Sequence, residues 1–266
     1  MPRYHTLHLE EQRLGPGRVL TIALNRPARR NALTPDMIYE LTLALREAEE
    51  TRASIIVLRG MGDHFCSGLD LSELRAMAHR TPEQHQLDSQ NLAALYRALY
   101  SLSVPTIAEV RGFALAGGMG LATLCDFTLA AHDARFGYPE VKIGFIPAIV
   151  SCFLTLEVGE KQARDLMLTG RQIDAAEAHA LGLVTRVLDP ATLSDAVAEL
   201  CNTLIDNSPS SLRATKHLLY EQQIDRLSRN LRAAVAINAD LRSSPDFREG
   251  LSAFLEKRKP AWPSHS

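Results

Sequence analysis

Long hydrophobic runs are scarce in this sequence of 266 residues. The longest apolar stretch, residues 113–131, is interrupted by Gly117, Gly118, Gly120 and Asp126. Such a stretch favours a buried loop, helix and strand over a helix that spans a bilayer. The first eleven residues alternate polar and apolar types and do not form a signal peptide. We therefore expect a protein that is neither exported nor inserted in a membrane.

Cysteine is also rare. The four cysteines lie far apart in the chain: Cys66, Cys125, Cys152 and Cys201. They form no Cys-x-x-Cys pair, so neither a disulfide framework nor a zinc site is predicted. Dispersed cysteines in apolar settings are typical of reduced core residues in a cytoplasmic protein.

An excess of one charge is missing as well. The formal net charge is −2, with basic and acidic residues interspersed, which argues against a nucleic-acid partner. The nine histidines show no His-Glu-x-x-His spacing, and no metal site is predicted. No Gly-x-Gly-x-x-Gly follows a first strand, which argues against a nicotinamide cofactor. Arg29-Arg30 and residues 257–259 form local basic clusters that either bind a phosphate or are solvated surface.

The pattern of turns and apolar runs predicts an α/β fold. Residues 19–24 follow a Gly-Pro-Gly turn and read as one strand of a hairpin with the opening residues. Thr34 and Pro35 mark a helix start. Further strands are predicted at 54–58, 106–110 and 127–130, with a helix at 90–101. Strand and helix patterns alternate to about residue 200, which favours stacked parallel strands. Helices are then predicted at 211–241 and 244–259.

Two glycine-bearing segments carry the clearest functional signal. The first is Phe65-Cys66-Ser67-Gly68-Leu69-Asp70-Leu71, and the second runs from Gly112 to Gly120. Small residues let the main chain approach a ligand closely, and two converging N–H groups stabilise negative charge on an oxygen atom. The second segment leads into an apolar helix, whose N-terminus adds positive potential.

With two flanking motifs, these segments resemble the enoyl-CoA hydratase/isomerase (crotonase) family. The flanking motifs are Asn25-Arg26-Pro27-Ala28-Arg29-Arg30-Asn31-Ala32-Leu33 and Phe136-Gly137-Tyr138-Pro139-Glu140. The similarity runs from about Leu20 to Lys259. It implies a crotonase-like spiral of ββα units over residues 1–200, and a helical region over 201–266 that mediates trimers or hexamers.

The resemblance also implies the reaction centre. The amides of Leu69 and Gly117 would form an oxyanion hole for the thioester oxygen, and Glu140 would be the acid and base. Apolar neighbours of Glu140 disfavour its charged form and raise its proton affinity into a useful range. Coenzyme A enters only as part of the substrate, and no other cofactor is implied.

One position departs from the two-glutamate hydratases that the chain resembles. Gly120 stands where those enzymes carry their first glutamate. One acid is enough to move a proton between Cα and Cγ, as in the Δ3–Δ2 enoyl-CoA isomerases of the family. Members similar around Gly118 to Leu121 and Glu140 to Gly144 hydrate branched thioesters such as methylglutaconyl-CoA with one glutamate. Water addition, isomerisation and non-catalytic CoA binding therefore remain as three hypotheses.

The remaining site residues are implied mainly by the resemblance. The backbone of two segments would hold coenzyme A: Ala28, Arg29 and Arg30, then Ser67, Gly68, Asp70 and Leu71. Gly118 belongs to the same substrate site. Phe254 and Lys257 match positions that contact the coenzyme A of a neighbouring subunit. The N–H of Ala148 is a candidate for holding a water molecule beside Glu140.

Overall fold

The computed structural model describes residues 4–77 and 79–263. Within these ranges the chain forms nine strands in two sheets. The strands are β1 (Leu7–Leu14), β2 (Gly17–Leu24), β3 (Ile55–Gly60), β4 (Thr106–Val110), β5 (Phe113–Leu115), β6 (Phe127–Ala131), β7 (Arg135–Gly137), β8 (Gln172–Asp174) and β9 (Arg186–Leu188).

Eleven α-helices surround the sheets in the described residues. They are α1 (Pro35–Glu50), α2 (Leu71–Met77), α3 (Pro82–Ser101), α4 (Gly117–Thr123), α5 (Ala148–Glu157), α6 (Gly159–Thr169), α7 (Ala175–Ala180), α8 (Leu193–Ile205), α9 (Pro209–Glu221), α10 (Ile224–Leu241) and α11 (Pro245–Leu255). Two 3₁₀ turns, Pro27–Arg29 and Pro139–Ile143, complete the elements. No described helix is long and apolar enough to cross a membrane.

The larger sheet has the strand order β1-β2-β3-β4-β6-β9. The pair β1 and β2 is the antiparallel hairpin that the Gly-Pro-Gly turn predicts, and all later neighbours in this sheet run parallel. Ile55 and Val57 of β3 pack in one apolar cluster with α8, whereas Ile56 and Leu58 pack in the main core. Because both faces of the sheet are covered, β3 reads as a continuous apolar run. The predicted α/β class with parallel strands is confirmed.

Two short bridges connect the glycine-bearing segments to each other and to the turn after β2. Leu33 pairs with Leu69, and Cys66 pairs with Ala114 in β5. From β5 the second sheet continues through β7 to β8. These contacts, which are parallel except for the antiparallel pair β7 and β8, bring chain segments that are far apart in sequence together.

Three predicted helices have different bounds in the structure. The helix expected at 90–101 begins at Pro82, where Thr81 and Gln84 form both hydrogen bonds of a capping box. The single helix expected over 211–241 is wrong, because α9 ends at Glu221 and α10 begins at Ile224. The last helix ends at Leu255 rather than at residue 259.

The break between α9 and α10 follows from what each helix buries. Leu227, Leu231 and Val235 of α10 are buried in the main core, and α10 packs on α3 and α5. No residue of α9 is buried in this chain. Tertiary packing thus orients the two helices separately at a point where the sequence has neither glycine nor proline. The four cysteines are free and buried, as expected of reduced core residues.

Candidate active site

A cavity of about 800 Å³ lies between the glycine-bearing segments, α2, α3, α10 and the 3₁₀ turn of Glu140. All three residues expected at the reaction centre line it: Leu69, Gly117 and Glu140. Eight of the other expected site residues line the same cavity: Ala28, Arg29, Arg30, Ser67, Asp70, Leu71, Ala148 and Phe254. Gly68, Gly118 and Lys257 are not in the lining.

The two glycine-bearing turns touch each other. Gly68 has a φ of +92°, and a Cβ atom placed on it would lie 2.9 Å from Cβ of Ala116. Ala116 itself has a φ of +50° and a ψ of −125°, a backbone conformation that costs free energy in a residue with a side chain. Leu69 and Gly117 directly follow these two residues, so their amides come from adjacent turns.

The N–H group of Leu69 points away from the segment of Leu33, with which Leu69 pairs. The N–H of Leu33 donates to the carbonyl oxygen of Gly68 (2.7 Å), and the N–H of Asp70 donates to the carbonyl oxygen of Leu33 (2.9 Å). In a parallel bridge of this kind, the residue between the two bonded ones directs its own N–H to the opposite side. The N–H of Leu69 is therefore free of this ladder at the cavity wall.

The amide of Gly117 has no partner within its helix. Gly117 is the first residue of α4, and the first helical bond runs from the N–H of Gly120 to the carbonyl oxygen of Ala116 (3.2 Å). The first N–H groups of any helix lack a carbonyl partner in that helix. A side chain at Gly117 would meet the Tyr96 hydroxyl at 2.8 Å, so only glycine leaves this corner of the cavity open.

Gly118 and Gly120 have packing roles that the structure makes plain. A Cβ atom on Gly118 would lie 2.3 Å from the carbonyl oxygen of Cys66, so this glycine lets the two segments approach each other. A Cβ atom on Gly120 would lie 2.5 Å from a methyl group of Val150 and 3.3 Å from the Tyr96 hydroxyl. Val150 and Tyr96 therefore fill the space in which a carboxylate side chain at position 120 would begin.

Glu140 lies in the 3₁₀ turn that follows Tyr138. Its Oε2 atom is buried and has no hydrogen-bond partner among the described residues. Burial raises the pKa of Glu140 to about 8, because the carboxylate loses its hydration without gaining a cation. A carboxyl group with this proton affinity can accept and return a proton near neutral pH.

The C-terminal helix braces this turn. Gly144 closes the turn with a φ of +67°, and a Cβ atom on it would lie 2.4 Å from the carbonyl oxygen of Asp246 in α11. A Cβ atom on Gly250 would in turn meet the carbonyl carbon of Ile143 at 2.4 Å. The backbone of α11 thus lies directly against the backbone that carries Glu140.

Comparison with known proteins shows the family of this chain. A family model described as enoyl-CoA hydratase/isomerase matches residues 15–265. This chain belongs to the enoyl-CoA hydratase/isomerase family. Membership makes it an enzyme of acyl-CoA chemistry and implies an acyl-CoA thioester as its substrate.

Relatives of the family cover nearly the whole chain. A Thermus thermophilus protein assigned as an enoyl-CoA hydratase is 42% identical over 92% of this chain and 97% of its own length. The short-chain-enoyl-CoA hydratase of Clostridium acetobutylicum is 32% identical over 91% and 93%. The crystal structure of an enoyl-CoA hydratase/isomerase from Xanthobacter autotrophicus superposes with a TM-score of 0.85, at 30% identity, over 97% and 100% of the two chains. The predicted crotonase fold is confirmed.

The mouth of the cavity in this family member is basic. Arg29, Arg30 and Lys142 are exposed in its lining, and none of them pairs with a carboxylate among residues 4–77 and 79–263. The Arg30 guanidinium lies 5.5 Å from the centre of the Phe113 ring. Unpaired guanidinium groups at a cavity mouth suit phosphate oxygens.

The other residues predicted to contact coenzyme A have different surroundings. Phe254 is half exposed at the cavity edge, whereas Lys257 lies in the turn after α11, exposed and with a φ of +56°. The carboxylate of Asp70 is committed to Arg26 at 2.8 Å and to Ser72. Although its burial opposes ionisation, those hydrogen bonds and the charge of Arg26 keep the pKa of Asp70 below its usual value. Asp70 thus holds its turn in shape.

Tyr96 is a site residue that sequence reasoning missed. Its hydroxyl donates to the carbonyl oxygen of Gly117 (2.8 Å), and its ring lines the cavity. Burial raises the pKa of the Tyr96 phenol well above its ordinary value, so the hydroxyl stays neutral. Its place on the buried face of a helix was the only signal in the sequence, and ordinary aromatic core residues occupy such places as well.

Proposed function

We propose that this protein adds water reversibly to the double bond of a 2-enoyl-CoA thioester. Hydroxide from water bonds to C3 while the proton of that water passes to the Glu140 carboxylate. The π electrons of the double bond move toward C1, and the charge appears on the thioester oxygen as an enolate. Glu140 then returns its proton to C2, which gives the 3-hydroxyacyl-CoA.

The two free amides stabilise the enolate in this proposal. Donors that are fixed before the reaction lose no reorganisation energy when the charge develops, and loss of one donor typically costs about 3–4 kcal/mol. The contact between the Gly68 and Ala116 turns supports such a pair, because Leu69 and Gly117 directly follow these two residues and both line the cavity. Their side chains need not take part.

One observation carries the proposal: Glu140 lines the same cavity as Leu69 and Gly117, and its buried Oε2 atom has no hydrogen-bond partner among the described residues. A buried carboxyl without a partner destabilises the folded protein, since its charged form is poorly solvated. Inside a substrate cavity, such a group can accept a proton and return it. Ala148, the first residue of α5, has no helical partner for its N–H and can hold the attacking water.

Coenzyme A binds at the basic mouth in this proposal. Arg29 and Arg30 supply positive charge for its phosphates, and the backbone from Ser67 to Leu71 follows the pantetheine arm. The N–H of Ser67 donates to the carbonyl oxygen of Arg30 (3.1 Å), which joins the two segments into one surface. Phe254 and Lys257 would reach the coenzyme A of a neighbouring protomer.

A Δ3–Δ2 enoyl-CoA isomerase is the second candidate, and Gly120 favours it. Because Val150 and Tyr96 fill the space beside Gly120, the described cavity offers no second carboxylate there. One base is enough to move a proton from C2 to C4. A branched hydratase substrate of the methylglutaconyl-CoA type also needs only one glutamate by resemblance, and a cavity of about 800 Å³ has room for a branch.

Two substrates separate these functions. Loss of the enoyl absorbance of crotonyl-CoA supports hydration, and its appearance from 3-hexenoyl-CoA supports isomerisation. When neither changes, 3-methylcrotonyl-CoA and 3-methylglutaconyl-CoA are tested next. Tight coenzyme A binding without turnover of any of the four would leave a non-catalytic CoA-binding protein and refute the hydratase.

We further propose that the protein works as a homotrimer or hexamer in the cytoplasm. The side chains of Leu218, Leu219 and Ile237 on α9 and α10 are more than half exposed, and apolar surface of this kind favours burial between protomers. Light scattering coupled to size-exclusion chromatography measures the mass. A monomeric mass at micromolar concentration would refute the assembly.

A further inference from the structure

An ion pair lies behind the turn that carries the Leu69 amide. One amino group of the Arg26 guanidinium lies 2.8 Å from the carboxylate of Asp70, and the other donates to the carbonyl oxygen of Ala32 (2.6 Å). The side chains of Arg26 and Asp70 are only 22% and 5% exposed, so water competes weakly for these bonds. Asp70 lines the cavity, whereas Arg26 is outside the lining. Arg26 can therefore act on the reaction centre only through the segments that it holds.

The two contacts of Arg26 lie beside one short parallel bridge. Ala32 directly precedes Leu33, and Asp70 directly follows Leu69. Leu33 and Leu69 are the residues that pair in the bridge. A single guanidinium group thus joins both chain segments next to the point where they pair.

The bridge determines where the N–H of Leu69 points. A peptide unit is planar and trans, so the carbonyl oxygen of Gly68 and the N–H of Leu69 point in opposite directions. That carbonyl oxygen accepts from the N–H of Leu33 (2.7 Å), which leaves the Leu69 N–H facing away. Gly68 has a φ of +92° and no side chain, so steric contacts restrain the rotation of this peptide unit only weakly. Its orientation depends on the hydrogen bonds around it.

The main chain of Arg26 is itself fixed. Its N–H donates to the side-chain oxygen of Asn31 (2.8 Å), and Asn31 is completely buried. The side-chain amide of Asn31 donates in turn to the carbonyl oxygens of Met61 (2.9 Å) and His64 (2.7 Å). The guanidinium therefore extends from an anchored residue, and its planar fork presents two donors in a set geometry.

We propose that Arg26 is a positioning residue of the oxyanion hole. Together with Asp70, it holds the peptide unit between Gly68 and Leu69 so that the Leu69 N–H faces the thioester oxygen. A buried ion pair adds little net stability, because both ions lose their hydration. A donor that is held in place before the reaction, however, loses no reorganisation energy when charge develops on the oxygen. This inference rests on the proposed function for the reaction that the amide serves.

Two variants of Arg26 separate positioning from binding. Arg26→Met removes both contacts, and we expect kcat for hydration to fall about 10- to 100-fold, part of the 10²–10³ that loss of a whole donor costs. Arg26→Lys should lose less, since a cation remains beside Asp70 without the fork. The Kd of hexanoyl-CoA should change less than about threefold in both, because the amide acts mainly on the transition state. Steady-state kinetics and calorimetry measure the two effects.

Arg18 provides a matched control outside the cavity lining. Its guanidinium lies 2.7 Å from the carboxylate of Glu11 and donates to the carbonyl oxygen of Thr51 (2.6 Å), the same two kinds of contact. Arg18→Met should leave kcat unchanged. An equal loss of kcat in Arg18→Met and Arg26→Met would mean that the loss reflects general stability, and would overturn the inference.

The carbonyl stretch of a bound thioester reports the donor without turnover. Hydrogen bonds to a carbonyl oxygen weaken the C=O bond and lower its stretching frequency. Infrared difference spectra of bound hexanoyl-CoA, isotope-labelled at the thioester carbonyl, should show a lowered frequency that returns toward the value of the free thioester in Arg26→Met. Hydration activity together with a frequency that is the same in folded Arg26→Met would overturn the inference while the hydratase stands. A frequency that depends on Arg26, without turnover of any enoyl-CoA, would support it while the hydratase fails.

Discussion

The two walls of the cavity are built from different parts of the chain. One wall includes Leu69 and Gly117, which directly follow two residues whose turns touch each other, and Gly117 has no side chain to fill the cavity. At the other wall, the long side chains of Arg80 and Arg242 both reach the carboxylate of Asp88 on α3. In the proposed reaction, the main-chain wall would serve any acyl-CoA thioester, whereas the side-chain wall would meet the part that differs between acyl groups. Glu140 lies in the same cavity.

Replacing Glu140 should break the chemistry while leaving both walls in place. We expect Glu140→Gln to lower turnover about 10³–10⁴-fold, since it removes the proton carrier without changing its shape. Affinity for a saturated acyl-CoA should stay within about twofold, because binding depends on the walls. Rates of hydration and calorimetric Kd values measure the two effects. Turnover close to that of the unchanged protein would remove Glu140 from its proposed role.

A matched pair of variants tests the main-chain wall directly. Gly117→Ala should lower kcat about 10²-fold, because its Cβ would displace Tyr96 or Leu33 and move the amide donor. Leu69→Ala should lower kcat by less than about tenfold, since the amide remains when the side chain is shortened. Steady-state kinetics on one substrate gives both numbers. Equal losses in the two variants would mean that side chains rather than amides act at this wall.

The raised pKa of Glu140 predicts a pH profile. Glu140 must be ionised to accept a proton, so kcat/KM should rise with pH and level off above about 8. From pH 6 to pH 9 the ionised fraction of Glu140, and with it kcat/KM, should increase about 90-fold. Glu157→Gln is the control, because burial also raises the pKa of Glu157 to about 8 outside the cavity lining. If kcat/KM no longer rises with pH in Glu157→Gln, the titrating group is Glu157 rather than Glu140.

Tyr96 is a side chain that supports the main-chain wall. Tyr96→Phe removes the hydrogen bond to the Gly117 carbonyl, and we expect kcat to fall about tenfold with KM nearly unchanged. Tyr100→Phe, one turn further along α3 and outside the cavity lining, should have little effect. A Tyr96→Phe variant that changes KM alone would place this residue in binding rather than in positioning.

Signals close in the sequence predicted the elements around the main-chain wall. Thr34 caps α1 as its pattern indicated, with its hydroxyl accepting from the N–H of Met37. The start of α3 was predictable by the same rule, because Thr81 precedes a proline and carries Gln84 three residues later. The glycine motifs predicted which segments line the cavity, although the roles of Leu69, Gly117 and Glu140 stay predictions.

The side-chain wall was beyond such reasoning. Asp88 and Arg242 meet across 154 positions of sequence, and no local period or cap marks such a pair. Tyr96 looks like any aromatic residue on a core-facing helix until its hydroxyl is found beside Gly117. The separation of α9 from α10 depends on packing against α3 and α5, which likewise appears only in three dimensions.

The contact of α11 with the turn of Glu140 has a consequence for biosynthesis. Gly250 and Asp246 press on backbone that was made about a hundred residues earlier. Contacts between such distant parts of a chain form late in folding, because the intervening loop must close first. We therefore expect the turn of Glu140 to reach its final position only after α11 has been made and has docked.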